Sequence, residues 1–379
     1  MRWKHKDMQH GARAILQLLI LLAGLTAIGC SQPESGSDGD NPPPSPSDEC
    51  DSIPTIDSIA TVIEDGARLD WSHSNNLIAF DRKDADGYFD VWIADPEGTD
   101  EYCLTCDIEA LPSKHIGNPV WHPSGEWIVF QAEKEDHPGS SDLCEPGVGR
   151  NNDLWAMKID GSEIRRLTNI QKGLSTLHPQ FSHDGARLVW GETKSAMNDW
   201  VIKIADFDSD EGRLENTQTI RPGDPPYPVW YETHGFSSDD KKIIFSANLE
   251  PNQDWTGVDI YTFDLENGKL ARLTETLTDW DEHAHLSPDD ELIVWMSSTG
   301  YPFDPDTLEG LKTDFWIMKS DGSCKTRLTY FNEEGHDEYA GRDVVCGDND
   351  WNADGTRIAG RVFEKGNKDN SWIVVMTLK

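Results

Sequence analysis

Basic residues are scarce in this chain of 379 residues: 33 Lys and Arg stand against 69 Asp and Glu, a formal charge of −36 at neutral pH. That deficit excludes nucleic acid and anionic membrane surfaces as partners of the folded domain, because both require a basic face. It suits a solvated acidic surface, a divalent cation or a cationic partner. Membrane-length apolar runs are also lacking. The run at 14–28 has 15 residues, short of the ~20 that a spanning helix needs. No Gly-x-Ser-x-Gly elbow occurs, and no phosphate-binding glycine loop, so the usual frames for a serine nucleophile or a nucleotide are missing. Cysteine is sparse, with seven residues.

What the chain does contain is a phrase repeated six times. Its first half reads Trp71-Ser72-His73, Trp121-His122-Pro123-Ser124-Gly125, Phe181-Ser182-His183-Asp184-Gly185, Phe236-Ser237-Ser238-Asp239, Leu286-Ser287-Pro288-Asp289 and Trp351-Asn352-Ala353-Asp354-Gly355. The anchors are 50, 60, 55, 50 and 65 residues apart, a period typical of propeller blades. A short apolar run follows each turn, such as Trp127-Ile128-Val129-Phe130 or Leu292-Ile293-Val294-Trp295. These runs are too short for helices, and their β-branched and aromatic content suits strands buried on both faces. The Ser-x-Asp-Gly segments supply the backbone angles of tight turns. A third strand opens at Asp90, Asp153, Asp199, Asp259, Asp314 or Asn370, and an outer strand ends in Leu-Thr at 104–105, 167–168, 273–274 and 328–329. In the third repeat the outer slot holds 214–220 instead. Four short antiparallel strands repeated six times give an all-β, six-bladed propeller. The last repeat lacks its outer strand, so segment 56–63 is expected to complete it and close the ring.

The N-terminus lies outside this pattern. Arg2, Lys4, Lys6 and Arg13 precede the apolar run, which ends at Ala27-Ile28-Gly29-Cys30. The combination resembles a bacterial lipoprotein signal, which implies removal of residues 1–29 and lipidation of the Cys30 sulfur. By resemblance to Gram-negative lipoproteins, Ser31 after the cysteine implies sorting to the outer membrane. Residues 30–55, rich in Ser, Pro, Gly and Asp, are expected to form a disordered tether, and 56–379 the propeller. Loss of the leader leaves 29 basic against 68 acidic residues, a formal −39.

Six cysteines then remain besides Cys30: 50, 103, 106, 144, 324 and 346. An even number in an exported chain points to disulfides, and Cys324 with Cys346, flanking one blade boundary, is the expected pair. Cys103-x-x-Cys106 has no second CxxC partner, which argues against a metal site there. Propeller geometry places the variable second-to-third-strand loops, 132–152 and 297–313, on the face opposite the Ser-x-Asp-Gly turns. That loop face is where a ligand is expected. The residues just before or within the inner strands, Asn118, His178, His234, His283, His285 and Asp348, are the candidates for a ligand or metal site at the channel mouth. Imidazoles beside carboxylates hold transition metals or move protons near neutral pH. His283 and His285 are expected to point to different sides of their strand. Asp84-Ala85-Asp86-Gly87 starts like a calcium loop but lacks the later ligands, so it reads as a turn.

The repeats resemble the TolB-type (WD40-like) propeller, most closely at 153–168 and 314–329, and the resemblance covers about 56–379. It implies a stand-alone, monomeric, lipid-anchored envelope propeller that binds a protein, peptide or glycan. No catalytic constellation is recognisable, which places a binding module ahead of an enzyme, and no cofactor is implied beyond a divalent cation. The alternative is a metal-dependent lyase of the oligogalacturonate type, a similar propeller whose enzymes use channel histidines on uronates.

Overall fold

The computed structural model describes residues 50–194 and 199–379. The expected leader and the tether up to residue 49, including Cys30, lie outside the described residues. Six four-stranded antiparallel sheets make up the described chain, a six-bladed β-propeller as the repeats imply. Blades one to five run consecutively, with inner strands Gly66–Trp71, Ile116–Trp121, Thr176–Phe181, Tyr231–Phe236 and Asp281–Leu286. Blade six takes three strands from the C-terminus, Val344–Trp351, Arg357–Glu364 and Asn367–Leu378, and its outer strand from Ile56–Glu64. The register sets Ile59 against Met376 and Ile63 against Ile373. The ring is thus closed by pairing the two ends of the domain, which removes two free sheet edges.

The inner and second strands are the driest: all six residues of Ile116–Trp121 and all seven of Trp127–Glu133 are buried. Large side chains fill the wedges between blades. One such core joins Val294, Phe315 and Ile317 of blade five to Val344, Trp351 and Met376 of blade six. Contact there is close enough that a Cβ at Gly360 would meet the Phe315 ring at 2.5 Å.

The repeated Asp and Arg-Leu-Thr residues have one shared role. In four blades the outer strand is short, and the N–H just after the third-strand aspartate donates to a threonine hydroxyl instead: Val91 to Thr105, Leu154 to Thr168, Ile260 to Thr274 and Phe315 to Thr329, at 2.9–3.0 Å. Each threonine in turn donates to the aspartate that opens the third strand, Asp259 at 3.1 Å and Asp314 at 3.0 Å. Arginine closes the brace, with Arg272 and Arg327 at 2.6 and 2.8 Å from those carboxylates. In blade three, which lacks the phrase, Arg221 reaches Asp199 at 2.9 Å. The buried charges are therefore paired and hydrogen-bonded, the condition under which they are tolerated.

Two expectations fail here. Cys324 pairs with Cys50, Cα atoms 5.3 Å apart, and not with Cys346. Cys324 sits at the rim in the turn after the third strand of blade five, whereas Cys346 lies in the inner strand of blade six, fully buried. Most of a blade's width separates them, beyond the reach of a disulfide. Second, residues 50–55 are not tether: Ile53 packs on the blade-six core and Thr55 exchanges backbone hydrogen bonds with Lys379. Cys103 and Cys106 form a second disulfide.

Candidate functional site

Every inner strand carries a register shift near its middle: between Gly66 and Leu69, Gly117 and Val120, Leu177 and Gln180, Thr233 and Gly235, Glu282 and His285, and Cys346 and Asn349. A β-bulge adds a residue and re-aims the side chains around it. In four blades the bulge holds a residue with positive φ: Asn118 (51°), His178 (44°), Gly235 (122°) and His283 (54°). For histidine this left-handed conformation is uncommon and costs energy, and such strain clusters at functional sites.

The bulges bring His178, Glu232, His234 and His283 together, each offering one ligand atom, all within 4.8 Å of one another. His178 Nε2 and His283 Nδ1 lie 3.2 and 3.3 Å from Glu232 Oε1, and both lie 3.8 Å from Asp348 Oδ1. His234 is 1% exposed. Its Nε2 is held 2.7 Å from Ser246 Oγ, and its Nδ1 has no hydrogen-bond partner. Glu232 Oε1 likewise makes no directed hydrogen bond. A buried polar atom without a partner costs roughly 1–3 kcal/mol, which applies to His234 Nδ1.

Burial sets the charge states. It pushes His178 down to about 3 against the pull of Asp348, and lowers His234 well below the usual imidazole value, helped by His283 and His285. Burial also raises Glu232 well above the usual carboxylate value, followed by repulsion from Glu282 and Asp348. Burial alone would raise Asp348 too, but His283, His178, Arg68 and Arg361 outweigh it and hold that carboxyl low. Burial thus favours the neutral forms of His178 and His234 and disfavours the charged form of the Glu232 carboxyl beside them. Nitrogen and oxygen donors in this proportion fit a divalent transition metal.

Five of the six sequence candidates fall at or beside this centre. His178, His234 and His283 are in it, Asp348 contacts two of them, and the His285 ring lies 6.0 Å from that of His234. Asn118 stays outside: its N–H donates to Asp81 at 2.9 Å. His283 and His285 both face the channel, contrary to the sequence expectation, because residues two apart on a strand share a face and Ala284 between them is buried in the blade core. Glu232 and Glu282 were missed. They stand one or two positions before a histidine in equivalent strands, a signal visible once the inner strands are aligned.

The expected face also needs correction. The pocket that reaches His234 and His285, about 250 Å³, is lined by Asp70, His73, His122 and Asp350 and opens among the Ser-x-Asp-Gly turns. On the opposite face the blade-two insertion lies across the channel. Gly147 sits so close to Arg68 that a Cβ there would meet the guanidinium at 2.2 Å. Lys83 pairs with Glu145 of the insertion at 3.3 Å and with Asp369 of blade six at 2.7 Å.

No protein-family model matches the chain. Dipeptidyl-peptidase 5 of Porphyromonas endodontalis is 24% identical over 194 residues, 40% of this chain and 27% of that protein. Its Porphyromonas gingivalis counterpart is 22% identical over 151 residues, 36% and 22%. The chain thus spans about a quarter of the length of these relatives. Among solved structures, TolB from Acinetobacter baumannii superposes with a TM-score of 0.53 at 14% identity, covering 81% of this chain and 64% of TolB. At that identity the likeness speaks for the fold alone, a six-bladed β-propeller.

Proposed function

We propose that this chain is an envelope-anchored propeller that binds its ligand at a divalent transition metal held inside the channel by His178, His234, His283 and Glu232. One observation carries the reading: His178, Glu232, His234 and His283 each offer one ligand atom, all within 4.8 Å of one another, and the buried His234 Nδ1 makes no hydrogen bond. A metal bound there supplies a Lewis acid that polarises a ligand oxygen. Asp348 Oδ1 lies 3.8 Å from the same two ring nitrogens that face Glu232, His178 Nε2 and His283 Nδ1, and adds a negative charge beside the ion. The pocket on the turn face admits a small polar group or the tip of a peptide or glycan, framed by His73 and His122. Among the described residues no helix is long and apolar enough to cross a membrane. The anchor in this proposal is therefore a lipid on Cys30, which labelled-fatty-acid incorporation tests against Cys30→Ala.

A second reading rests on His285. This imidazole lines the same pocket, lies outside the metal-ligating set, and is held neutral by burial. A neutral imidazole beside a metal-polarised carboxylate can take the α-proton of a uronate, the first step of β-elimination. The charges oppose a polyanion less here than over the whole chain, because Arg68 and Arg361 flank Asp348.

Metal titration of the stripped protein, with His178→Ala and His283→Ala beside it, tests the site. Both variants are expected to lose most of the affinity for Mn²⁺, and equal affinity in all three would sink the reading. Incubating the metal-loaded protein with oligogalacturonate separates the two uses: release of unsaturated product that is lost in His285→Ala marks the lyase.

A further inference from the structure

A second group of donors lies in the blade-two insertion, away from the channel histidines. Glu133 closes the second strand, His137 follows four residues later, and Cys144 ends a single 3₁₀ turn, Ser141–Leu143. All three side chains are buried, with 0% exposure for Glu133, 1% for His137 and 0% for Cys144. His137 Nε2 is 2.5 Å from Glu133 Oε1 and 3.8 Å from Cys144 Sγ. Glu133 Oε2 is buried with no hydrogen-bond partner. One ligand atom from each residue falls within 4.8 Å of the other two.

We propose that Glu133, His137 and Cys144 form a structural zinc site that staples the blade-two insertion over the channel. Thiolate, imidazole and carboxylate are the usual zinc donors. An Nε2-to-Sγ separation of 3.8 Å already matches two ligands on one tetrahedral ion at zinc–nitrogen and zinc–sulfur distances of about 2.0 and 2.3 Å. Glu133 Oε1 is held by Ser141 Oγ at 2.7 Å and Lys114 Nζ at 3.0 Å, which leaves Oε2 to ligate, and the fourth position falls to water. Outer partners stand ready. Pro138 O is 3.3 Å from His137 Nδ1 and accepts a hydrogen bond from the Nδ1–H once Nε2 binds metal. Asn151 Nδ2 is 3.7 Å from Cys144 Sγ and donates to the thiolate. Binding converts Cys144 S–H to S–Zn and releases that proton to solvent; no electrons move.

The competing reading is a Cys-His nucleophile. Cys144 is fully buried, and a nucleophilic cysteine needs an accessible thiolate, so no substrate reaches this sulfur. The consequence for the fold is mechanical. Glu145 and Gly147, one and three residues beyond Cys144, are the residues that contact Lys83 and Arg68 above the channel. Zinc at Cys144 therefore fixes the closed end of the channel, whatever the channel itself binds.

Cobalt(II) distinguishes this site from the channel cluster, which contains no thiol. The metal-stripped protein titrated with Co²⁺ is expected to develop near-ultraviolet thiolate-to-cobalt absorption that saturates at one equivalent and is displaced by Zn²⁺. Cys144→Ser abolishes the band; His137→Gln weakens binding by at least about tenfold; His178→Ala and His283→Ala leave it intact. Zinc also slows proteolytic cleavage within 134–151 in the wild type and not in Cys144→Ser. Absence of the band in the wild type, or its persistence in Cys144→Ser, overturns the proposal.

Discussion

The Cys50–Cys324 bond has a consequence that can be worked through. It joins the lead-in of the ring-closing strand to the outer turn of blade five, across 274 residues of sequence. In the chain-entropy treatment, cross-linking a loop of that length removes roughly 5 to 6 kcal/mol of unfolded-state entropy at 25 °C, while measured losses of native disulfides run nearer 2–5 kcal/mol. Unfolding of the roughly 330 described residues carries about 0.7 kcal/mol per kelvin of entropy at about 2 cal/mol/K per residue, so a loss of 3 kcal/mol lowers the melting temperature by about 4 °C. Cys50→Ser, Cys324→Ser and the double variant are all expected to show that same fall in calorimetry, because either single change already opens the bond. A further effect belongs to the strand it guards. With the bond gone, the amides of Ile56–Glu64 should exchange faster than those of the other three strands of blade six, since the closing strand frays first. Cys346→Ser is expected to leave the number of disulfides unchanged. A fall in disulfide count in Cys346→Ser, or melting of Cys50→Ser at the wild-type temperature, would refute this account of ring closure.

Other outcomes follow from buried carboxylates. Burial raises Asp281 to about 7, against Ser297 and the Trp295 indole at 2.9 Å, which pull the other way. A carboxyl whose value is raised on folding contributes stability that is whole below pH ~4 and is lost as pH climbs through ~7. Asp281→Asn, which keeps the acceptor for Trp295, should therefore stabilise the protein at pH 8 by on the order of 2–4 kcal/mol and hardly at all at pH 4, as denaturant unfolding at the two pH values will reveal. Asp314 accepts from Arg327, Thr329 and the Phe331 N–H. Asp314→Ala strands the arginine and is expected to cost about 3 kcal/mol or more in the same assay, whereas loss of the half-exposed pair Arg342–Glu364 should cost well under about 1 kcal/mol.

How much of this was legible in the sequence depends on what each feature leaves in the residue string. Blades leave a period: the turn Ser-x-Asp-Gly, the apolar run and Arg-Leu-Thr recur because each blade must make the same turn, bury the same strand and brace the same aspartate. The missing outer strand of blade six leaves a gap, which points directly to 56–63. Bulges leave no such mark. His178 and His283 occupy left-handed positions that glycine or asparagine fill in other blades, and no composition rule distinguishes a strand histidine from a bulge histidine. Glu232 leaves only a faint mark, its place two positions before His234, and the bulges bring it against His178 and His283. The disulfide partner of Cys324 depended on folding back a segment that composition assigned to the tether, where Ile53 was the one apolar signal against disorder. The side from which the channel opens was hidden because loop length indicates variability, not openness: the long blade-two insertion closes its face and the short turns leave theirs open.

The central claim is that three histidines and a glutamate from three blades hold one metal ion in the channel. Metal-soaked crystals measured at the manganese absorption edge test it most directly. The account predicts a single anomalous peak between His178, His234, His283 and Glu232, absent from His234→Ala crystals grown and soaked alike. A channel with no peak, or one whose peak survives in His234→Ala at full height, would contradict it.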